Sequence, residues 1–354
     1  MVRMSKAKKA AAKAEKANGA KRVLITGAAG FIGHHLLDYL LQKTDWDFVI
    51  LDRLDLSGNL DRVHDIPSYE ENKDRIQFHW HDLKAPVSDA LAKRLGNPHY
   101  ILHLAASSHV DRSIEDPALF AMDNVVGTVN ILNFARTCSN LEKFINFSTD
   151  EVFGPAPEGH AHKEDEPHRP SNPYSASKSG QEAFGYAFFI TYGLPVITTH
   201  TMNNFGIRQH PEKLLPRTIR SVLNATPMPI FAKLNAKGKL EAVGSRYWIS
   251  CWNTSSAVRF LLQHGKPGES YNIIGFDEFT NLEIAEKIAK IIGKPLIPDF
   301  VDFHAVRPGH DRRYALSGAK LKKMGWKPEM PFDKSLKETV TWYLEKKNRK
   351  WLND

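Results

Sequence analysis

An α/β architecture is predicted, with a parallel sheet wound on both faces and a smaller α/β domain attached to it. Three observations predict it. Strand-like and helix-like patterns alternate from Lys21 to about Thr201, which favours parallel strands with crossover helices. A glycine run, Gly27-Ala-Ala-Gly30-Phe-Ile-Gly33, follows the first apolar strand directly. After Asn203-Asn204 the texture changes, with prolines at 211, 216, 227 and 229 and a Gly/Lys-rich loop around 233–245.

Taken in order, the strand candidates are 22–26, 47–52, 75–80, 99–104, 143–149 and 195–201, and helical patterns fall near 31–43, 87–95, 116–138 and 174–192. Ser270 to Gly275 reads as one more buried strand returning to the sheet, and helical patterns near 280–292 and 332–346 finish the chain. The division expected is 1–20 as a disordered basic tail, then 21–202 rejoined by about 247–275 as the first domain. Residues 203–246 and 276–354 form the second.

The glycine run sits where a strand turns into a helix. There the backbone can approach a pyrophosphate, and the helix N-terminus offers N–H donors and a positive dipole end. The second strand ends in Asp52, at about the 20-residue separation expected of a carboxylate for the adenosine ribose. A carboxylate repels a 2′-phosphate, so the pattern favours NAD over NADP, although Arg53 beside it could accept that phosphate. Small residues at Leu104-Ala-Ala-Ser-Ser108, after the fourth strand, would let a cofactor lie against the backbone. The fold class is therefore Rossmann-type.

The fifth strand ends in Thr149-Asp150-Glu151, and Tyr174 and Lys178 follow at i,i+4 on one helix face. A lysine near a phenol favours the phenolate, so Tyr174 can act as a base below its ordinary value. Two carboxyls beside it exceed what a simple alcohol oxidation requires. They suit an enzyme that oxidises an alcohol and then moves further protons.

The chain of 354 residues carries 42% hydrophobic and 25% charged residues and a net charge of +8. No apolar run approaches the roughly 20 residues a membrane span needs. Residues 1–22 alternate Lys and Arg with Ala, with Glu15 the one acid, which accounts for much of the excess charge without a nucleic-acid partner. That segment lacks a secretory signal's apolar core. Cys138 and Cys251 make no disulfide framework, so a cytoplasmic location is expected. The histidines, His34 and His35 among them, show no ligand spacing, so no metal is expected.

These residues resemble the extended short-chain dehydrogenases/reductases, and among them the nucleotide-sugar 4,6-dehydratases. The resemblance rests on the glycine run, Leu51 to Asn59, Ala105-Ala-Ser-Ser-His-Val-Asp-Arg-Ser113, Ser148 to Gly154 and Pro173 to Lys178. It continues through Asn203 to Gly206, Pro211 to Pro216 and Arg307 to Tyr314. It implies NAD as cofactor and a nucleoside-diphosphate hexose as substrate, dTDP-glucose first and UDP-glucose next. Tyr174 would take the C4 hydroxyl proton while NAD takes the hydride. Glu151 would then remove the C5 proton, Asp150 would donate to the departing C6 hydroxyl, and the hydride would return to C6. Thr149 would hold the C4 oxygen, and Lys178 would keep Tyr174 ionised.

By the same resemblance the cofactor contacts are Gly27, Gly30, Phe31, Ile32, Gly33, Asp52, Arg53, Asp82, Leu83, Leu104, Ala105, Ala106, Ser108, Tyr174, Lys178 and Asn203. Substrate contacts are Ser108, Thr149, Asn204, Lys213, Leu214, Arg246, Asn281, Arg307 and His310. The helix carrying Tyr174 is expected to build a homodimer through a four-helix bundle. Three departures stand out: Ser107 replaces a glutamate, Asp123 replaces a threonine, and the loop from Phe231 to Ser245 is longer by several residues. That loop adjoins the nucleotide base in the family, so thymine or uracil remains open. Other enzymes of this fold, epimerases and decarboxylases, lack the acidic pair in these roles. From another class, a non-catalytic NAD-binding sensor would not require Tyr174 and Lys178.

Overall fold

The computed structural model describes residues 20–234, 240–275, 277–302 and 313–353. The expected tail therefore lies outside the described residues, except for Ala20. Six strands, β1 (Arg22–Thr26), β2 (Asp47–Asp52), β3 (Ile76–Trp80), β4 (Tyr100–His103), β5 (Lys143–Thr149) and β6 (Val196–Thr201), join Ser270–Ile273 in one sheet. Its order is Ser270–Ile273, β6, β5, β4, β1, β2, β3, and every neighbouring pair is parallel. All six strands read from the first domain, and the returning one, are present.

Alternation along β1 explains the two-faced burial. Val23 and Ile25 point into a core with Leu36, Leu37 and Leu40 of helix Phe31–Lys43 and Val258 and Leu261 of helix Cys251–His264. Leu24 points the other way, against Ile131 and Leu132 of helix Gly127–Ala135 and Phe188 of helix Pro173–Tyr192. Residues one apart on a strand face opposite sides, so a sheet covered on both faces must be apolar throughout.

The pattern near 116–138 forms a continuous helix, Pro117–Ala135, in which Ala121–Val126 winds as a π-helix. Its 19 residues are long and apolar enough, by length and composition, to cross a membrane, against the expectation that no apolar run approaches that length. Half of that stretch is buried inside the fold, as expected of a core helix. The π turn carries Asp123 and Asn124 inward, and both are buried. Such insertions re-aim side chains and are frequent at functional sites.

A second core gathers Phe205, Leu215, Ile219, Trp248, Ile284, Ile288, Leu336, Val340 and Tyr343. It is built by helices Leu214–Asn224, Asn281–Ile292 and Phe332–Leu344. Part of the expected loop at 233–245 is instead sheet. Met228–Leu234 pairs antiparallel with Leu240–Ala242 and parallel with Pro298–Asp302.

Candidate active site

The sheet order reverses between β1 and β4, and a cleft of about 390 Å³ opens there beyond the strand ends. Open parallel sheets bind ligands at this switch point. Gly27 leaves β1 at φ +75°, and a side chain there would bring a Cβ within 2.7 Å of the Ala105 nitrogen. Only glycine lets the loop after β1 pass this close to the exit of β4. Helix Phe31–Lys43 begins at Gly30 with no side-chain cap. Its first N–H groups thus lack side-chain partners, the donor set a diphosphate uses. Asp52 accepts hydrogen bonds from Ala29 N (3.0 Å) and Leu54 N (2.9 Å), which ties the end of β2 to the glycine run. These groups fit a dinucleotide.

Arg53 does not reach outward toward a phosphate. It makes a two-pronged ion pair with Asp123, at 2.6 and 2.7 Å, and also bonds Asp55. Asp82 lies 3.5 Å from the same guanidinium. Ser107 donates to Asp123 at 2.6 Å, so the two departures from the family pattern touch each other.

On the opposite wall, Thr149 donates to Asp150 Oδ1 at 3.0 Å, while Asp150 Oδ2 is buried without a hydrogen-bond partner. Burial raises the Asp150 carboxyl, opposed by the charge of Arg246 and the bond from Thr149. Glu151 is raised to about 7 by burial and then by the charge of Asp150, with the Asn172 bond acting against both. That bond runs from Asn172 Nδ2 to Glu151 Oε2 at 3.1 Å. Asn172 also caps helix Pro173–Tyr192 by accepting from Ser175 N at 2.9 Å, completing a capping box.

Tyr174 sits in the first turn of that helix, and Lys178 follows one turn on. Their relation differs from the expectation. Lys178 Nζ donates to Phe147 O and Gln181 Oε1, each at 2.6 Å, and burial lowers it to about 7 despite the charge of Glu182. Burial and then the charge of Glu151 push the Tyr174 phenol up. Lysine is drawn to two nearer acceptors, so no depression of Tyr174 arises from it here. The helix N-terminus at Tyr174 remains a favourable place for negative charge.

The cleft gathers all sixteen expected cofactor residues, Ser108 among them, and with them Thr149, Asp150, Glu151, Asn204, Lys213 and Leu214. Arg246 is buried behind it, its guanidinium 4.4 Å from the Tyr314 ring, and its charge reaches Asp150 and Glu151. Asn281 starts helix Asn281–Ile292, with its N–H on Gly244 O, and does not line the cleft. Arg307 and His310 lie outside the described residues. Sequence reasoning missed Arg62, which donates to Ala29 O at 3.3 Å and to Ser57 O at 2.5 Å and so braces the glycine loop. Nothing local marks it, because its partners are carbonyls.

A glycine-turned cleft at the switch point, with Tyr174 and Lys178 on one wall, defines a dinucleotide-dependent enzyme of the extended short-chain dehydrogenase/reductase class. Residues 24–339 match the GDP-mannose 4,6 dehydratase family, and the chain belongs to that family. It is 35% identical over 357 residues to the dTDP-glucose 4,6-dehydratase of Salmonella typhimurium, covering 94% of this chain and 95% of that one. A crystal structure of a dTDP-glucose 4,6-dehydratase from Streptomyces venezuelae with NAD bound superposes with a TM-score of 0.82. It is 33% identical, and the match covers 93% of this chain and 98% of that chain. The UDP-glucose 4-epimerase of Thermus thermophilus, in complex with NAD, is also similar, at 28% identity and TM-score 0.79 over 90% and 98%.

Proposed function

We propose that the protein is an NAD-dependent dTDP-glucose 4,6-dehydratase, a hydro-lyase that forms a 4-keto-6-deoxy sugar nucleotide. The observation that carries the reading is the pairing of Asp150 and Glu151 on the wall shared with Tyr174. An epimerase must only remove and return hydrogen at one carbon, whereas expelling water requires an acid and a base of its own. Resemblance to a dehydratase and to an epimerase alike makes this pair the discriminating feature.

NAD bound in the cleft supplies a hydride acceptor that later becomes the donor. Tyr174 takes the C4 hydroxyl proton, helped by the helix N-terminus, while Thr149 holds the C4 oxygen. The ketone so formed acidifies C5, and Glu151, near pH 7 by virtue of burial, removes that proton. Asp150 delivers its proton from Oδ2, the oxygen without a protein partner, to the leaving C6 hydroxyl. In the free site burial and the charge of Asp150 raise Glu151, so the resting proton sits on Glu151 and passes to Asp150 before elimination; unequal surroundings are what allow two adjacent carboxyls to take opposite roles. General acid–base steps of this kind contribute about 10²–10⁴-fold each.

Arg53 is paired with Asp123, Asp55 and Asp82 rather than held open for a 2′-phosphate, which supports NAD over NADP. A homodimer is supported by the apolar exposed face of helix Pro173–Tyr192, where Tyr186 and Ile190 are 60% and 62% exposed. The remaining parts of the reading are a cytoplasmic location, a dinucleotide-binding unit over 21–202 rejoined by 247–275, and a sugar-nucleotide unit over 203–246 and 276–354. The test is incubation with dTDP-glucose and with UDP-glucose separately, each product analysed for loss of water by mass and for the alkaline absorbance of a 4-keto sugar. Conversion of dTDP-glucose is expected. Isomerisation without loss of water would overturn the assignment, and conversion of UDP-glucose alone would transfer it to the other base.

A further inference from the structure

Behind the catalytic strand, three residues far apart in sequence converge. We infer that His168, Glu182 and His200 form a transition-metal site, separate from the dinucleotide cleft. Among the described residues, the two ring nitrogens and one carboxylate oxygen they offer lie within 4.8 Å of one another. His200 Nε2 is 2.9 Å and His168 Nε2 3.5 Å from the same atom, Glu182 Oε2. A metal about 2.1 Å from Glu182 Oε2 and from each ring nitrogen would subtend angles of about 87° and 113° across those two edges, which bracket the tetrahedral angle of zinc-like ions.

The outer atom of each residue is already held. His200 Nδ1 meets Asn272 Oδ1 at 2.9 Å, and the Asn272 amide is fixed because its Nδ2 donates to His162 O and Ser317 O. His200 must therefore donate from Nδ1, and its Nε2 faces Glu182 with either a proton or a lone pair. His168 Nδ1 meets Ser179 Oγ at 3.1 Å, and Ser148 Oγ donates to Glu182 Oε1. Outer partners of this kind orient the ligands of protein metal sites.

Burial and access agree with the geometry. His200 is fully buried and Glu182 nearly so. A second cavity, of about 310 Å³, is lined by His168, Glu182 and Ser179, giving an entry path and room for a water as fourth ligand. Imidazole and carboxylate donors suit Zn²⁺, Co²⁺ or Fe²⁺ rather than Mg²⁺ or Ca²⁺. Such an ion would clip the segment carrying His168 to helix Pro173–Tyr192 and to β6, next to the strand end that holds Thr149.

Co²⁺ is the probe, added to the chelator-treated, untagged full chain. One equivalent should bind with a visible absorption band, release of about one proton, and displacement by Zn²⁺. His168→Ala should remove the band, with circular dichroism confirming the fold. Ser179→Ala should weaken binding about tenfold. The double change His160→Ala, His162→Ala should leave the band intact; those residues meet Glu166 in a second, more exposed cluster. No saturable band at stoichiometric cobalt, or a band that survives His168→Ala, would overturn the site. None of these readouts depends on turnover.

Discussion

Replacing Glu151 by Gln should trade activity for stability, and the site sets both magnitudes. In the fold the carboxyl is moved from 4.5 to about 7, chiefly by burial. At ~1.36 kcal/mol per pH unit, that is up to ~3 kcal/mol. The cleft side of the carboxyl is open to water, which reduces the figure. Because the folded value is raised, the held proton stabilises the fold fully below pH 4.5, and that contribution is lost as pH rises through about 7. Glutamine mimics the protonated acid at every pH. The variant should therefore gain on the parent by up to ~3 kcal/mol between pH 4 and pH 8, measured by urea unfolding without added cofactor. Turnover of dTDP-glucose should fall about 10²–10⁴-fold. The parent's rate should drop about tenfold per pH unit below 7, and that acid limb should vanish in the variant. A Gln variant that turns over at the parental rate, or a stability gap independent of pH, would refute the reasoning.

Four further outcomes are expected. Tyr174→Phe should lose about 10²–10⁴-fold in turnover while NAD binding, followed by calorimetry, changes less than about threefold. Asp123→Thr should strip Arg53 of its two-pronged partner, leaving Asp55 and the more distant Asp82, and raise the NADP-to-NAD affinity ratio several-fold; an unchanged ratio would show that Arg53 does not govern the choice. Gly27→Ala should abolish NAD binding and destabilise the fold by at least ~1–3 kcal/mol, since it combines a positive φ with a 2.7 Å clash. Asn172→Asp keeps the helix cap but deprives Glu151 of its donor and adds charge, so the acid limb of the rate profile should move to higher pH.

How much could be read from the chain depended on how local the cause was. The sheet strands were legible because short continuous apolar runs and the strand-to-helix glycine turn are written in neighbouring residues. Met228–Leu234 was not, because Pro227 and Pro229 argue against a strand. Proline 229 is tolerated because antiparallel pairing with Leu240–Ala242 starts only at Ala232. The Arg53–Asp123 pair spans 70 positions and depends on a π turn that no periodicity announces. Lys178 was placed correctly on its helix, but its nitrogen goes to Phe147 O of β5 and to Gln181 of its own helix rather than to Tyr174, and the contact with β5 is not written in the local sequence. The His168, Glu182 and His200 cluster is invisible as a motif because three different elements supply it.

A single amide couples the helix to the site. Asn172 starts the helix with its oxygen and steadies Glu151 with its nitrogen. Fraying of that single turn would release the cap and let the carboxylate swing free in the same event. Exchange of the Ser175 amide proton with solvent would thus count the moments when the enzyme is disarmed, linking a folding observable to catalytic readiness without any substrate present.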